Sequence, residues 1–343
     1  MESLIPPCKH HNRFFMMSQS CERVCLLCVA NCFEDKDQPY TTQVHLLQYF
    51  LHQVSPNPQW LEIFGHDEKF ADYFISTTIT LFHQLQNQVQ PMPISNDIVL
   101  MLLKLKGRNC YHDCDIIMQL CCSASYRSCL NLLNLVVAMV KQIPESSDCF
   151  ITNDTFCNFL LNGLDFPDDI IKEILLVIIE ELLQAYLHNG CEHNVFMMLP
   201  TKLLNLLSSS QSHTILTLSL KLIETWTAFT DISYFFQGTE EMQGKATQDS
   251  PKLFLSMKRV LLLRSDPLNF PTIRCLLRLL KHEDFNDHLA CKMLDADLVE
   301  FIYDVLRSSS SEELQICIFE SIIHLSQHKI FFTNCHALHG FLH

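Results

Sequence analysis

Cysteine and histidine side chains are concentrated in the first 32 residues of the chain. Seven such residues lie there: Cys8, His10, His11, Cys21, Cys25, Cys28 and Cys32. They include a C-x2-C pair and, upstream of it, a C-x2-H pair, and two such pairs can supply the four ligands of a tetrahedral zinc site. A zinc site closed by four protein ligands is structural. We predict one structural Zn²⁺ bound by Cys8, His11, Cys25 and Cys28, with His10 or Cys21 as substitute ligands.

A helical face is the alternative interpretation of the same cysteines. Four of them are spaced i, i+4, i+7 and i+11, which would bury four thiols on one side of a helix without any metal; they are Cys21, Cys25, Cys28 and Cys32. The segment before them is irregular and too short to form a core of its own. Because small domains of this kind usually need a staple, we favour zinc and keep the helical alternative open.

A second cysteine and histidine cluster lies near the middle of the chain. It contains Cys110, His112 and Cys114, with Cys121 and Cys122 beyond them. The C-x-H-x-C spacing differs from that of zinc knuckles. We therefore expect thiols buried on a helix beside polar loop residues, and not a metal site.

Three basic residues, Arg274, Arg278 and Lys281, share one helical face at i, i+4 and i+7. Such a face can bind a phosphate backbone or an acidic partner segment. The alternative is a solvated face, which we favour because the chain carries a net charge of −14. For the same reason we do not expect direct contact with DNA.

The sequence contains none of the common enzyme motifs. The phosphate-binding patterns G-x-x-x-x-G-K-[ST] and G-x-G-x-x-G are absent, as are H-E-x-x-H and G-x-S-x-G. With 17 cysteines and 17 histidines, no single Cys–His pair can be selected as a catalytic dyad. We predict that the protein is not an enzyme.

After Pro39 the chain consists of apolar segments with the period of an α-helix, and strand signals are nearly absent. Strong helix starts recur near residues 127, 168, 213 and 252, at intervals of about 40 residues, as in armadillo and HEAT repeats. The sequence thus predicts an all-α fold, with a Cys/His head at 1–40 and an armadillo/HEAT-like α-solenoid at 41–343. A polar loop is predicted at 238–251. The predicted helices are 42–55, 67–87, 96–106, 113–122, 126–143, 168–188, 201–208, 213–229, 252–264, 271–282, 288–307 and 312–328.

The two ends of the chain bear on its cellular location and on its length. The first residues show no signal peptide and no lipidation signature, and the longest aliphatic run, at 174–179, is too short to span a bilayer. We predict a soluble intracellular protein with reduced thiols and no membrane contact. The last residues are apolar, including Phe341 and Leu342, whereas a solenoid needs a polar terminal cap. The chain is therefore expected to be a fragment or a truncated isoform of something longer.

The first 60 residues resemble the meiotic double-strand-break formation family, which comprises the animal meiosis inhibitor protein and the plant recombination initiation defect protein. The similar features are Cys8 with a following histidine, the Val-Cys-Leu-Leu-Cys run ending at Cys28, and the stretch from Val44-His45 to Leu51-His52-Gln53-Val54-Ser55. Beyond them only the helical-repeat character agrees.

The resemblance implies a non-catalytic armadillo-like scaffold in the nucleus, associated with chromosomes. Its role would be meiotic double-strand-break formation and homologous recombination, through contacts with other meiotic break-forming proteins. Two alternatives stand beside it. One is a zinc-containing ubiquitin-ligase-like adaptor, although residues 1–40 offer only seven of the eight or so ligands that a two-metal head needs. The other is a helical-repeat interaction protein unrelated to meiosis.

Overall fold

The computed structural model describes residues 15–17, 23–25, 79, 100, 103–104, 110–189, 194–228, 232–236 and 252–333. In this part the chain forms two short strands, two 3₁₀ helices (Asn194–Met198 and Ile232–Phe235) and thirteen α-helices. In chain order the α-helices are α1 Tyr111–Ser123, α2 Leu130–Gln142, α3 Pro144–Ile151, α4 Asp154–Gly163, α5 Asp169–Asn189, α6 Leu199–Ser209, α7 His213–Thr227, α8 Lys252–Leu262, α9 Asp266–Leu280, α10 Asp287–Asp295, α11 Leu298–Ser308, α12 Glu312–Leu325 and α13 Lys329–Thr333.

The N-terminal Cys/His region contains an antiparallel hairpin. Strand β1 (Phe15–Met17) pairs with β2 (Arg23–Cys25), with Met16 opposite Val24. The backbone at Cys25 is therefore extended, and a continuous helix from Cys21 to Cys32 cannot form. This removes the helical-face alternative for the four cysteines.

The chain divides into two compact units, Met1–Phe159 and Leu160–His343. In the first unit, helices α1, α2 and α3 pack on one another. Helices α1 and α2 confirm the helices predicted at 113–122 and 126–143. Helices α3 and α4 are absent from the prediction. For α3 the reason is Pro144, which from the sequence alone is interpreted as a break; it occupies the first helical turn, where its missing N–H costs nothing.

The second unit is built of two layers of helices. In one layer α5, α7, α9 and α12 lie side by side in chain order, and in the other α6, α8 and α11 do the same. The consecutive pairs α6–α7, α8–α9 and α11–α12 pack across the two layers. The helices of the first layer begin at residues 169, 213, 266 and 312, at intervals of 44, 53 and 46 residues that are close to the HEAT/armadillo period. The predicted all-α armadillo/HEAT-like α-solenoid is confirmed.

Two predicted helices differ from the structure. The helix predicted at 288–307 is split into α10 and α11, because Asp297 adopts a left-handed conformation with φ of 55°. The helix predicted to start at Pro271 begins at Asp266, with Pro267 in the first turn and Pro271 inside it. A proline near the start of a helix removes few internal hydrogen bonds, so Pro271 can lie in the second turn and does not have to be the first residue of the helix.

Several predictions lie wholly or largely outside the described residues. These are the boundary between the head at 1–40 and the scaffold at 41–343, the helices at 42–55, 67–87 and 96–106, the loop at 238–251 and the apolar C-terminal end. Within them, Ile79, Leu100 and Leu103 are helical and buried. Across the described residues, no helix has the length and apolar character needed to cross a membrane.

Candidate interaction surface

The solvent side of the α5–α7–α9–α12 layer carries a row of charged side chains. Helices α7 and α9 bury wide apolar stripes, and their polar positions are left facing water. We call this row the charged face; its members are Glu180, Lys221, Glu224, Arg274, Arg278, Lys281 and Glu320.

Ion pairs on the charged face join each helix of the layer to the next. Lys221 on α7 contacts Glu180 on α5, whose side chain is nearly buried. Nε of Arg274 on α9 donates to both carboxylate oxygens of Glu224 on α7, at 2.8 and 3.0 Å. The Lys281 ammonium, at the end of α9, donates to Glu320 on α12 at 2.6 Å.

The ion pairs also affect protonation. The hydrogen bond from Arg274 to Glu224 raises the pKa of that guanidinium, and the hydrogen bond from Lys281 lowers the pKa of Glu320. Both groups are therefore held in their charged forms at neutral pH. The three pairs form a series along the layer that favours one register between neighbouring repeats.

The predicted phosphate or partner patch lies on this face. Arg274, Arg278 and Lys281 share one side of the α9 segment, and each is exposed. Two of them already have carboxylate partners, whereas no ion pair is formed by Arg278 among the described residues. The patch stays a prediction, and the geometry favours a role for Arg274 and Lys281 in joining helices.

The Arg274–Glu224 pair gives a testable prediction. Because both side chains are partly exposed, we expect a double-mutant cycle with Arg274→Met and Glu224→Gln to give a coupling energy of about 0.2–1 kcal/mol. The coupling should fall in 1 M NaCl, where the screening length is about 3 Å. Urea unfolding of the four proteins measures it. The matched cycle with Arg278→Met should give no coupling; equal coupling in both cycles would contradict the observed pairing.

The cysteine cluster near residue 110 is a set of buried thiols. The Cys114 thiol is hydrogen-bonded to those of Cys110 and Cys149, and the Cys121 thiol is hydrogen-bonded to that of Cys129. The prediction of buried thiols is confirmed for Cys110, Cys114 and Cys121, whereas Cys122 is only half-buried. Among the described residues no group of three potential ligands is arranged to hold a metal ion. Across the described residues, the hydrogen bonds that cysteines make go to other thiols, to backbone carbonyls and, from Cys291, to the carboxylate of Asp295.

Thiol burial predicts a loss of stability at alkaline pH. Burial, with the charge of Asp154 as a smaller cause, raises the pKa of Cys157 from 9.0 to about 12. Since the folded-state pKa lies above the unfolded one, this contribution is complete below pH 9 and is lost as the pH rises towards 12. Between pH 9 and 11 the free energy of unfolding should fall by about 2 kcal/mol more in the wild type than in Cys157→Ala. Urea unfolding at both pH values measures this; equal losses would contradict it.

In the second layer, Arg259 joins neighbouring helices. This α8 side chain donates from Nη1 to the Leu207 carbonyl at 2.7 Å and from Nη2 to the Ser210 carbonyl at 2.9 Å, at the C-terminal end of α6. Sequence reasoning missed this contact. Lys258, the residue before Arg259, lies in the same sequence environment but pairs with Asp297 at 3.3 Å. The sequence therefore could not show which of the two basic residues contacts the end of α6.

An open cleft of about 600 Å³ also lies in the second unit. Its polar lining groups include Glu283, Asp284, His288 and Lys292, and Ile232 and Phe236 contribute apolar surface. The two carboxylates, the imidazole and the ammonium give the cleft a lining of mixed charge. The cleft is suited to binding a polar segment.

The predicted zinc ligands are placed only in part. Cys25 is the last residue of β2, so the C-x2-C pair begins where the hairpin ends. Cys8, His11 and Cys28, and the substitutes His10 and Cys21, lie outside the described residues. The zinc site stays a prediction.

Comparison with known proteins identifies the family. The family model described as the Meiosis inhibitor protein 1 N-terminal domain matches residues 24–341, nearly the whole chain. The chain belongs to this family. Meiosis inhibitor protein 1 of Homo sapiens is 23% identical over 334 residues, which cover 93% of this chain and 26% of that relative. The Mus musculus protein of the same name is 31% identical over 104 residues, 30% of this chain and 8% of that one. The resemblance read from the sequence is thus confirmed, and the chain spans about a quarter of the human relative's length.

Engineered proteins are among the solved structures that resemble the chain. A designed armadillo repeat protein has a TM-score of 0.45 and 12% identity, covering 62% of this chain and 82% of the design. An engineered protein from the Northeast Structural Genomics Consortium has a TM-score of 0.47 and 9% identity, covering 78% and 98%. At these TM-scores the likeness carries no weight, and the fold rests on the helix packing of the chain itself.

Proposed function

We propose that the protein is a non-catalytic scaffold required for meiotic double-strand-break formation and homologous recombination. The observation that carries the proposal is the family match over residues 24–341, since the relatives that it groups are named as meiosis inhibitor proteins. The protein would act in the nucleus, associated with chromosomes, by binding other meiotic break-forming proteins.

The geometry supports a binding role over a catalytic one. Helical-repeat layers present extended surfaces to partners, and here the charged face and the cleft beside Ile232 are both open to solvent. Among the described thiols, burial raises the pKa of Cys157 and Cys275, and a hydrogen bond to Cys129 together with burial raises that of Cys121, which is the opposite of an activated nucleophile. Hydrogen bonds from Cys114 and Cys121 lower the pKa of the buried thiols of Cys110 and Cys129. The net charge of −14 makes protein partners a better fit than bare DNA.

A pull-down from meiotic cells tests the scaffold role. The full chain is used as bait against the set of meiotic break-forming factors, with a heat-unfolded sample as the control. We expect at least one of these factors to be retained by the folded chain and lost from the unfolded one. Retention of none of them, together with retention of a ubiquitin-conjugating enzyme, would replace the scaffold by the adaptor alternative.

We also propose one structural zinc ion in the N-terminal head, with Cys8, His11, Cys25 and Cys28 as ligands. The hairpin supports it, because Cys25 lies in a strand and not on a helix face that would bury the four thiols without a metal. The thiolates and the imidazole would hold the ion, and its binding free energy would stabilise a segment with little core.

Metal analysis of the purified chain tests the zinc site. We expect one zinc ion per chain, lost in the Cys25→Ser/Cys28→Ser variant and kept in Cys122→Ser, which removes a half-exposed thiol elsewhere. Because the ligand thiols must lose protons, the zinc content should fall below about pH 5. A metal-free chain would contradict the site, and two ions per chain would favour the ubiquitin-ligase-like head.

A further inference from the structure

Helix α12, which ends the α5–α7–α9–α12 layer in the described part of the chain, exposes a row of large apolar side chains. Ile316, Phe319 and Ile323 are 50%, 54% and 59% exposed and follow one another at i, i+3 and i+7. This spacing places them on one side of the helix. We call them the α12 stripe.

The opposite side of α12 packs against the neighbouring described helices. Leu314, Ile318, Ile322 and Leu325 are buried, and the main packing partners of α12 among the described helices are α9 in its own layer and α11 in the other. Helix α12 is thus apolar on two sides, of which one is covered.

Helices α7 and α9, which have a neighbouring helix on both sides within the layer, bury more residues than α12 does. Helix α9 lies between α7 and α12, and it buries nine residues. Helix α7, between α5 and α9, buries eight, whereas α12 buries five. A helix that is apolar all round is typical of an interior position, and in a repeat protein the neighbour that completes it is another repeat.

We propose that the α12 stripe packs against the first helical repeat that follows this domain in the longer family members. The match covers 26% of the human relative, and the family model describes an N-terminal domain, so in that relative the chain continues well beyond the matched region. The proposal rests on the helix packing and not on the meiotic role.

The charges at the start of α12 also favour a following repeat as the partner of the α12 stripe. Every contact between neighbours in this layer carries one cation–carboxylate pair, and Glu312 and Glu313 are exposed at the end of α12 that precedes the stripe. The incoming helix should therefore carry three apolar residues at i, i+3 or i+4, and i+7, with a lysine or arginine near these two carboxylates.

A second copy of this chain fits the stripe less well. Three half-exposed side chains offer far less than the roughly 800 Å² per partner that a stable dimer buries. A repeat connected by a short tether needs less area, because its effective concentration is in the millimolar range.

The test combines three measurements on the full chain and on I316Q/F319Q/I323Q, with L255Q/L262Q as the matched control. The control side chains, on α8, are 44% and 51% exposed and lie away from the stripe. The first measurement is the fluorescence of a hydrophobic dye; it should fall at least twofold in the stripe variant and stay unchanged in the control. Circular dichroism shows that both variants are folded.

The second measurement is calorimetric titration with the purified segment that follows the matched region in the human relative, carried to millimolar concentration because the tether is absent. We expect binding to the wild type and the control, and at least a tenfold weaker affinity for the stripe variant. No binding, or equal binding to all three proteins, would overturn the proposal. The third measurement is sedimentation: a wild-type dimer that the stripe variant abolishes would assign the stripe to a second copy instead. Unchanged dye fluorescence in the stripe variant would show that this chain covers the stripe itself.

Discussion

Replacing Phe156 by alanine is expected to lower the free energy of unfolding of the first unit by about 3–5 kcal/mol. Phe156 is fully buried, and its ring lies 5.3 Å from that of Phe150 and 6.1 Å from that of Phe159. Removing it leaves a cavity between two rings that the flanking helices α3 and α4 hold in place, so relaxation can fill little of the space. Because a typical domain has a stability of only about 5–15 kcal/mol, this single change should be visible as early unfolding in urea.

The same substitution at an exposed phenylalanine is the control. Phe319→Ala removes the same atoms from a side chain that is 54% exposed, so its effect should stay within about 0.5 kcal/mol. Circular dichroism during urea titration compares the two. If both variants lose the same stability, the packing around Phe156 is different from that described.

Replacing Arg259 by alanine is expected to cost about 2–4 kcal/mol in the second unit. The last carbonyls of a helix have no partner within the helix and carry the negative end of its dipole. The Arg259 guanidinium donates to two of them, at Leu207 and Ser210, and so joins α8 to the end of α6. Without it, two partly buried carbonyls lose a charged donor.

Two further variants separate this bridging role from simple charge loss. Arg259→Lys keeps the charge but cannot reach both carbonyls with one planar fork, so we expect it to recover less than half of the stability. Arg307→Ala removes an exposed arginine whose pair with Asp304 lies within one helix, and should change stability by less than about 0.5 kcal/mol. Full recovery by lysine would show that the two hydrogen bonds are unimportant.

Much of the second unit follows from local sequence signals. Helix α5 was predicted to within one residue at each end, because Asp168 supplies a carboxylate that accepts hydrogen bonds from the first-turn N–H groups and the following face is apolar. Helix α7 starts at His213 as expected, with Ser212 as its N-cap. These signals act within one turn of helix, so a single sequence contains them.

The errors and omissions have non-local causes. Asp297, which divides α10 from α11, adopts a left-handed conformation that usually indicates glycine, so the sequence did not reveal the break. The partners of Arg274, Lys281 and Arg259 lie 39 to 52 residues away, on neighbouring repeats. Spacing within one helix placed Arg274 and Lys281 on one face, but it could not show which carboxylates would meet them. The α12 stripe was hidden for the same reason, since its apolar residues look like core until the packing partners are known.

The most direct test of the central claim is to count DNA breaks in meiotic prophase after the gene is disrupted. Broken DNA ends are labelled in spread nuclei, and the wild-type chain is reintroduced as the rescue. A scaffold for break formation predicts that breaks are largely lost in the disrupted cells and return with the reintroduced chain. Normal break numbers without the protein would contradict this account.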